Sequence, residues 1–190
     1  MKVLIINNAE KGVTDYTDPL ESILNGIKCD WVTLEYNDRI HEKYTNYDAV
    51  ILSASPFGDD IVDHHQSYYQ WILHYTEPVL GICAGHHIIG RLFGDALMRN
   101  QEPEAGDFFV IADKADYLFN GLEKSFIVKQ NHKDSISLPE KFLLLAHSAS
   151  CKVQIMKHMM RPIYSTQVHA ELSNRPLIEN FIAIVKHRHN

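Results

Sequence analysis

The sequence predicts an α/β fold with a single doubly wound, mostly parallel central sheet, flanked by helices and extended by added antiparallel strands. Short continuous apolar runs such as Val3 to Ile6 are typical of buried parallel strands. Such runs alternate with helical patterns through the first half, which indicates right-handed βαβ units. The stretch from Asp107 to Leu145 is richer in strand patterns, and these favour antiparallel additions. A chain of 190 residues suits one sizeable core, so we expect one domain over residues 1–190.

The elements of the first half follow from apolar runs and from the residues that punctuate them. The predicted strands are Val3 to Ile6, Trp31 to Leu34, Asp48 to Ser53 and Pro78 to Ile82. The predicted helices are Pro19 to Gly26, Gln66 to His74 and Ile88 to Phe93. In the first helix the apolar residues share one face, and Gly26 favours its end.

The second half is predicted to complete the sheet and close the fold. The predicted strands are Phe108 to Ala112, Ser125 to Lys129, Phe142 to Ala146 and Arg161 to Val168. Pro176 to His187 is predicted to be a closing helix, because its apolar residues recur at helical spacing.

Composition excludes several classes of protein. A net charge of −6 argues against a nucleic-acid binder, which usually carries a basic face. No apolar run approaches the roughly 18 residues of a membrane helix, and the N-terminal run is too short for a signal peptide. Three cysteines, Cys29, Cys83 and Cys151, are an odd and sparse set, which favours reduced thiols in the cytoplasm.

The segment from Gly81 to Gly85 (GICAG) has the form of a nucleophile elbow, in which a strand, a nucleophile between glycines and a helix follow one another. Because the nucleophile lies on a tight turn, the residues on either side of it must be small. The following helix N-terminus stabilises a thiolate and offers N–H groups to an oxyanion. A buried structural cysteine beside a glycine turn is the alternative for this short motif taken alone.

A second segment supplies the partners that a thiolate nucleophile needs. His169 follows a predicted strand, and Glu171 lies two residues further on, where a carboxylate can fix the imidazole tautomer. Strand ends converge at the carboxyl edge of a parallel sheet, so Cys83 and His169 are expected to meet there.

These segments resemble the class I glutamine amidotransferases. Leu80 to Phe93 (LGICAGHHIIGRLF) is similar to the family's Gly-Ile-Cys-x-Gly-x-Gln segment, and Tyr164 to Glu171 (YSTQVHAE) to its Gln-Phe-His-Pro-Glu segment. Leu52 to Pro56 resembles Leu-Ser-Gly-Gly-Pro, and Asn131 to Asp134 resembles Ser-His-Gly-Asp. The resemblance covers nearly the whole chain and implies the flavodoxin-like amidotransferase fold.

The resemblance implies a role for each matching position. Cys83 attacks the γ-amide of glutamine or a γ-glutamyl compound and forms a thioester, His169 transfers protons, and Glu171 orients His169. The backbone N–H groups of Ser55 and Ala84 form the oxyanion hole. The implied substrate-binding residues are Gly85, His87, Gly106, Asn131 and His132. No cofactor or metal is implied, because thiol acyl transfer needs none.

Departures from the family pattern leave the function open. His87 replaces the family's Gln, and Ala54 with Ser55 replaces a glycine pair. One hypothesis is therefore an amide hydrolase, which either works alone on γ-glutamyl compounds or supplies ammonia to a separate synthetase subunit. The other is a binding or regulatory module that kept the fold and lost catalysis. His87 either donates a hydrogen bond to substrate or packs in its helix.

Adjacent histidines raise the question of a metal site. His64 and His65 follow Asp63, and His86 precedes His87. Neighbouring side chains point in different directions on a helix or strand, so a surface position is the favoured interpretation of both pairs.

Overall fold

The computed structural model describes residues 1–38, 44–57, 60–95, 97–99 and 101–188. Its strands are β1 (Lys2–Asn7), β2 (Asp30–Glu35), β3 (Ala49–Leu52), β4 (Val79–Ile82), β5 (Leu97–Met98), β6 (Glu104–Ala112), β7 (Ser125–His132), β8 (Ser135–Ile136), β9 (Phe142–His147), β10 (Ile155–His158) and β11 (Ile163–Thr166). Its α-helices are α1 (Asp18–Gly26), α2 (Ile61–His65), α3 (Ala84–Leu92), α4 (Ala170–Ser173) and α5 (Arg175–Arg188). Segments Tyr44–Asn46, Gln66–Leu73 and Tyr117–Phe119 form 3₁₀ helices.

Within the described ranges, nine strands form one mixed sheet in the order β2-β1-β3-β4-β11-β10-β9-β6-β7. The pairings from β2 to β11 are parallel, and those from β11 to β7 are antiparallel. The parallel part has the flavodoxin-like order, in which ligands bind outside the carboxyl ends of the strands. The predicted fold class, a parallel sheet with antiparallel additions and flanking helices, is confirmed.

Helices cover both faces of the parallel strands, which explains their continuous apolar sequences. In β1, Val3 and Ile5 pack into the core shared with α1 and α5. Leu4 and Ile6 point the other way, into the core shared with α2, α3 and the 66–73 segment. All four side chains are completely buried. Because successive strand residues face opposite sides of the sheet, a strand buried on both faces is apolar at successive positions and does not alternate between apolar and polar residues.

Several element predictions need correction. The segment predicted as one helix from Gln66 to His74 is a 3₁₀ helix that follows the short α2. Helix α3 begins at Ala84, four residues before the prediction, so it starts directly after Cys83. Strand β10 and the two-residue pair of β5 with β8 were absent from the prediction, since such short segments carry little periodicity.

The helices of the described ranges are short, and α5 has 14 residues. None of them is long and apolar enough to cross a membrane.

Candidate active site

Cys83 occupies a strained turn between β4 and α3. Its φ of 47° and ψ of −96° lie in a region that side-chain-bearing residues rarely adopt. The Cys83 N–H donates to the carbonyl oxygen of Thr166 at 2.8 Å, which ties the turn to the end of β11. Strain of this kind persists only where surrounding contacts hold it, and it is frequent at catalytic nucleophiles.

The glycines on either side of Cys83 are required by close backbone approach. A Cβ on Gly81 would lie 2.5 Å from the carbonyl oxygen of Gly85. A Cβ on Gly85 would lie 2.7 Å from both the Cβ and the carbonyl oxygen of Leu52 at the end of β3. The first turn of α3 therefore sits directly on the carboxyl ends of β3 and β4, and no larger residue fits at either glycine.

His169 and Glu171 form a buried hydrogen-bonded pair beside this turn. Nδ1 of His169 donates to Oε1 of Glu171 at 2.8 Å, which leaves Nε2 free to face the thiol. Burial by itself lowers the pKa of His169, but Cys83, through its charge and a hydrogen bond, and Glu171 outweigh it and raise the pKa to about 10. The arrangement thus favours a protonated, positively charged His169 at neutral pH.

The loop after β3 is held in place by Asn8, which follows β1. The Asn8 N–H donates to Oγ of Ser53 at 3.0 Å, and its side-chain Nδ2 donates to the Ser53 carbonyl at 2.6 Å. Oγ of Ser55 donates to the Asn8 carbonyl at 2.7 Å. The hydroxyl of Tyr69 donates to Oδ1 of Asn8. This buried network fixes the backbone at Ser55, just beyond the end of β3 on which the first turn of α3 rests, where the oxyanion hole is predicted.

A cavity of about 310 Å³ opens beside His169. It is lined by Tyr16, Ala105, Gly106, Lys129, Gln130, Asn131, His169 and Leu172. Its volume lies at the lower end of the range of small-molecule sites. Two predicted substrate-binding residues, Gly106 and Asn131, line it. Gly106 has a φ of +112°, which favours glycine, and a Cβ there would meet open space.

The wall behind this cavity contains a buried carboxylate. Glu104 accepts hydrogen bonds from Nε2 of His132 at 3.0 Å, from Nε2 of Gln154 at 2.6 Å, and from Ser148 and Ser150. Burial alone raises the pKa of Glu104, but the hydrogen bonds from His132, Ser148 and Ser150 outweigh it and lower the pKa to about 2. The ring of His132 is therefore committed to Glu104 and to the Asp134 carbonyl. Since both ring nitrogens have partners, the backbone is the part of His132 that is left to contact substrate.

The site consists of a strained cysteine, a buried His–Glu pair and an adjoining cavity, and the chain that forms it has known relatives. The family model described as Glutamine amidotransferase class-I matches residues 14–184. The chain belongs to this family.

Relatives of this amidotransferase are named as glutamine-hydrolysing subunits of GMP synthase. The relative from Thermoplasma acidophilum is 36% identical over 154 residues, which cover 78% of this chain and 77% of the relative. The protein of the same name from Methanobrevibacter smithii is 29% identical over 196 residues, which cover 100% of this chain and 99% of the relative. A crystal structure from Thermoplasma acidophilum, described as that of a GMP synthase subunit, superposes with a TM-score of 0.90 at 29% identity, covering 100% and 96% of the two chains.

The residue that departs most from the amidotransferase pattern, His87, is 1% exposed. Its Nε2 lies 2.7 Å from Oε1 of Gln167, and Nε2 of Gln167 donates to Sγ of Cys83 at 3.6 Å. His87 therefore contacts a neighbour of the nucleophile, and the geometry does not support a direct hydrogen bond from its side chain to substrate. Gly85 is likewise buried in the first turn of α3, against Leu52.

The surface interpretation of the histidine pairs is wrong for three of the four rings. His65, His86 and His87 are buried, and only His64 is exposed. His86 bonds Oγ of Ser165 at 2.8 Å and the Val153 carbonyl at 3.2 Å, which pins α3 to β11. Each of the three buried rings has a hydrogen-bond partner, and the sequence composition alone does not reveal these partners. Within the described ranges, no group of three or more His, Cys, Asp or Glu residues is arranged to hold a metal ion.

Sequence reasoning missed Tyr16 and Gln167 as neighbours of Cys83 and His169. The Tyr16 ring stacks on that of His169, with centroids 5.8 Å apart and planes 28° from parallel. Burial, followed by the charges of Cys83 and Glu171, raises the pKa of Tyr16. No motif marks Tyr16, whereas Gln167 stands at the first position of the family segment that contains His169, so its place in the motif was a usable signal.

Proposed function

We propose that the chain hydrolyses the γ-amide of glutamine through a thioester on Cys83 and supplies the ammonia to a separate synthetase subunit. One observation carries this proposal. A cysteine in strained backbone geometry stands beside a buried imidazole, whose second nitrogen is held by Glu171 at 2.8 Å. That constellation is the arrangement of nucleophile, base and orienting group that thiol acyl transfer requires.

The chemistry follows from the protonation states of the pair. The Cys83 thiolate adds to the amide carbon, and the negative oxygen of the tetrahedral intermediate takes hydrogen bonds from the N–H groups of Ser55 and Ala84. The His169 imidazolium then gives its proton to the departing nitrogen, so ammonia leaves and a γ-glutamyl thioester remains. Neutral His169 next removes a proton from water, which attacks the thioester. The second tetrahedral intermediate then collapses, the C–S bond breaks and the Cys83 thiolate leaves, while His169 keeps the proton taken from water, which restores the ion pair. Glutamate departs, and the proton of its new γ-carboxyl group passes to solvent.

Glutamine is the preferred substrate in this proposal for two reasons. The cavity volume of about 310 Å³ suits a single amino acid, and its polar wall includes Lys129, Gln130 and Asn131. The names of the relatives, glutamine-hydrolysing subunits of GMP synthase, support both glutamine as the amide and a synthetase partner that consumes the ammonia. A free-standing γ-glutamyl hydrolase differs in needing no such partner.

The experiment is to measure ammonia release by the isolated protein from glutamine and from a panel of γ-glutamyl amides and dipeptides. Cys83→Ala serves as the control that removes only the nucleophile. Release from glutamine that disappears in Cys83→Ala supports the proposal. Faster release from γ-glutamyl dipeptides would assign the free-standing hydrolase instead.

The partner is tested by adding a GMP synthetase with its nucleotide substrates. We expect the synthetase to accelerate glutamine hydrolysis by this chain. A protein that releases no ammonia alone or with the synthetase, and whose Cys83 is no more reactive than Cys29 or Cys151, would be a binding module and not an enzyme.

A further inference from the structure

Two buried side chains link the first turn of α3 to the nucleophile. Nε2 of His87 lies 2.7 Å from Oε1 of Gln167, and Nε2 of the same amide lies 3.6 Å from Sγ of Cys83. Gln167 is completely buried, and its backbone N–H donates to the Gln154 carbonyl at 2.7 Å. The side-chain amide is thus held at both of its polar groups, and neither has access to bulk water.

The direction of these hydrogen bonds follows from the protonation of His87. Burial lowers the pKa of His87 to about 4, so the ring is neutral and carries one proton. Nδ1 of His87 has no hydrogen-bond partner among the described residues. A proton on Nδ1 would therefore be a buried donor without an acceptor, whereas a proton on Nε2 is donated to Gln167. The second arrangement costs less, and it turns the NH₂ group of Gln167 toward Cys83.

The orientation matters because of the charge on sulfur. An amide N–H directed at a thiolate stabilises the negative charge, whereas the amide oxygen in the same place would repel it. The titratable groups that face Cys83 are His169, with Glu171 behind it, and Tyr16. Those that act on His87 from neighbouring elements are His132, Asp134 and Arg99. Gln167 is a neutral donor to the sulfur, on a different residue from the imidazolium.

We propose that Gln167 is a positioning residue that stabilises the Cys83 thiolate, and that His87 holds the Gln167 amide in the orientation this requires. The inference rests on the proposed thiolate chemistry of Cys83 and deepens it. It also explains why His87 can replace the Gln of the family pattern, because the His87 side chain faces Gln167 and not the substrate. Since both residues lie behind the reacting atoms, their removal should lower kcat more than it raises KM.

The experiment measures the rate at which iodoacetamide alkylates Cys83 as a function of pH, with each cysteine followed by peptide mass spectrometry. Gln167→Leu removes the donor and keeps the site buried. His87→Leu removes the group that orients the donor. His87→Gln is the matched control, because an amide NH₂ at the end of a glutamine can replace the Nε2 donor. Cys29 and Cys151 are internal reporters of an intact core, since both thiols are buried.

We expect Gln167→Leu and His87→Leu to move the midpoint of the Cys83 profile upward by about one pH unit, which is a tenfold loss of rate below the midpoint. His87→Gln should retain the profile of the unaltered protein. Equal midpoints in Gln167→Leu and the unaltered protein would overturn this proposal while leaving the proposed function standing. A Cys83 in the unaltered protein that reacts no faster than Cys29 would instead overturn both.

A fold defect in Gln167→Leu would show as fast alkylation of Cys29 and Cys151. Gln167→Met, which is close to glutamine in size and has no hydrogen-bond donor, then carries the test. Its side chain offers no N–H group to the sulfur, so it should raise the midpoint about as far as Gln167→Leu does. An unchanged midpoint in Gln167→Met would overturn the proposal.

Discussion

Gly81 and Gly85 approach so closely that a Cβ on Gly81 would lie 2.5 Å from the carbonyl oxygen of Gly85. The atom it would meet belongs to the backbone, so no side-chain rotation relieves the overlap. This contact holds α3 against β4 and forces Cys83 between them into its left-handed conformation. The glycines of the nucleophile motif therefore determine the position of the thiol and not only the freedom of the turn.

Alanine at either glycine should damage both stability and site geometry. We expect Gly81→Ala and Gly85→Ala each to lower the free energy of unfolding by about 2 kcal/mol or more, because overpacking against backbone displaces the start of α3. Urea denaturation measures this. Gly26→Ala is the matched control, since the nearest atoms to a Cβ there belong to the guanidinium of Arg175, which can move. Similar losses in all three variants would show that the contact between Gly81 and Gly85 is not special.

The His169–Glu171 pair predicts a graded loss of activity. His169→Ala should reduce glutamine hydrolysis nearly as far as Cys83→Ala, because the thiolate loses its counter-ion and the leaving nitrogen its proton donor. Glu171→Gln should leave weak activity, with kcat lower by about a hundred- to ten-thousandfold, because an amide orients the ring without stabilising its charge. Steady-state ammonia release measures all three. Full activity in Glu171→Gln would contradict the role of the buried carboxylate.

Tyr16 is predicted to shield the His169 imidazole and shape the cavity. Tyr16→Phe keeps the stacked ring, so we expect kcat/KM for glutamine within about threefold of the unaltered protein. Tyr16→Ala opens one side of His169 to water and should lower kcat/KM by about tenfold or more. If Tyr16→Phe were as damaging as Tyr16→Ala, the hydroxyl and not the ring would be the functional group.

The sequence predicted the parallel half of the sheet well because burial on both faces leaves an unmistakable apolar run, as in Val3 to Ile6. It predicted the positions of Cys83, His169 and Glu171 because strand ends converge at one edge of such a sheet. It failed for β10, whose four residues are almost fully buried yet include Lys157 and His158. Short segments of this kind take their conformation from the neighbouring β9 and β11 and not from their own pattern.

The histidines show a second limit of sequence reasoning. The sequence favours a surface position for His86 and His87, because neighbouring side chains point in different directions on a helix. Their burial depends on partners from distant positions, Ser165 and Gln167, that β11 and the residues after it bring against α3. A sequence does not give such pairings without the fold. The link from His87 through Gln167 to Cys83 therefore became visible only in the structure.

Asp95 gives a stability prediction with a defined pH dependence. Its side chain is completely buried after α3, with Oδ1 3.6 Å from Nη1 of Arg91 and with neither oxygen hydrogen-bonded among the described residues. Burial raises the pKa of Asp95 from 3.8 to about 6, against the lowering effect of Arg91. The folded pKa lies above the unfolded one. The contribution of Asp95 to stability is therefore fully present below pH 3.8 and is lost as the pH rises through 6.

Asp95→Asn removes this titration and should become progressively more stable than the unaltered protein as the pH rises from about 4 to about 7. Once the pH is above the folded pKa of Asp95, the difference between the folded and unfolded pKa corresponds to a gain in the free energy of unfolding of roughly 3 kcal/mol for Asp95→Asn, less the cost of any unsatisfied amide group. Urea denaturation of both proteins at about pH 4.5, 6 and 7.5 measures the difference. Glu123→Gln, at an exposed carboxylate, controls for the change in net charge. A difference between Asp95→Asn and the unaltered protein that stays constant across this range would mean that Asp95 does not ionise with the raised pKa that its burial implies.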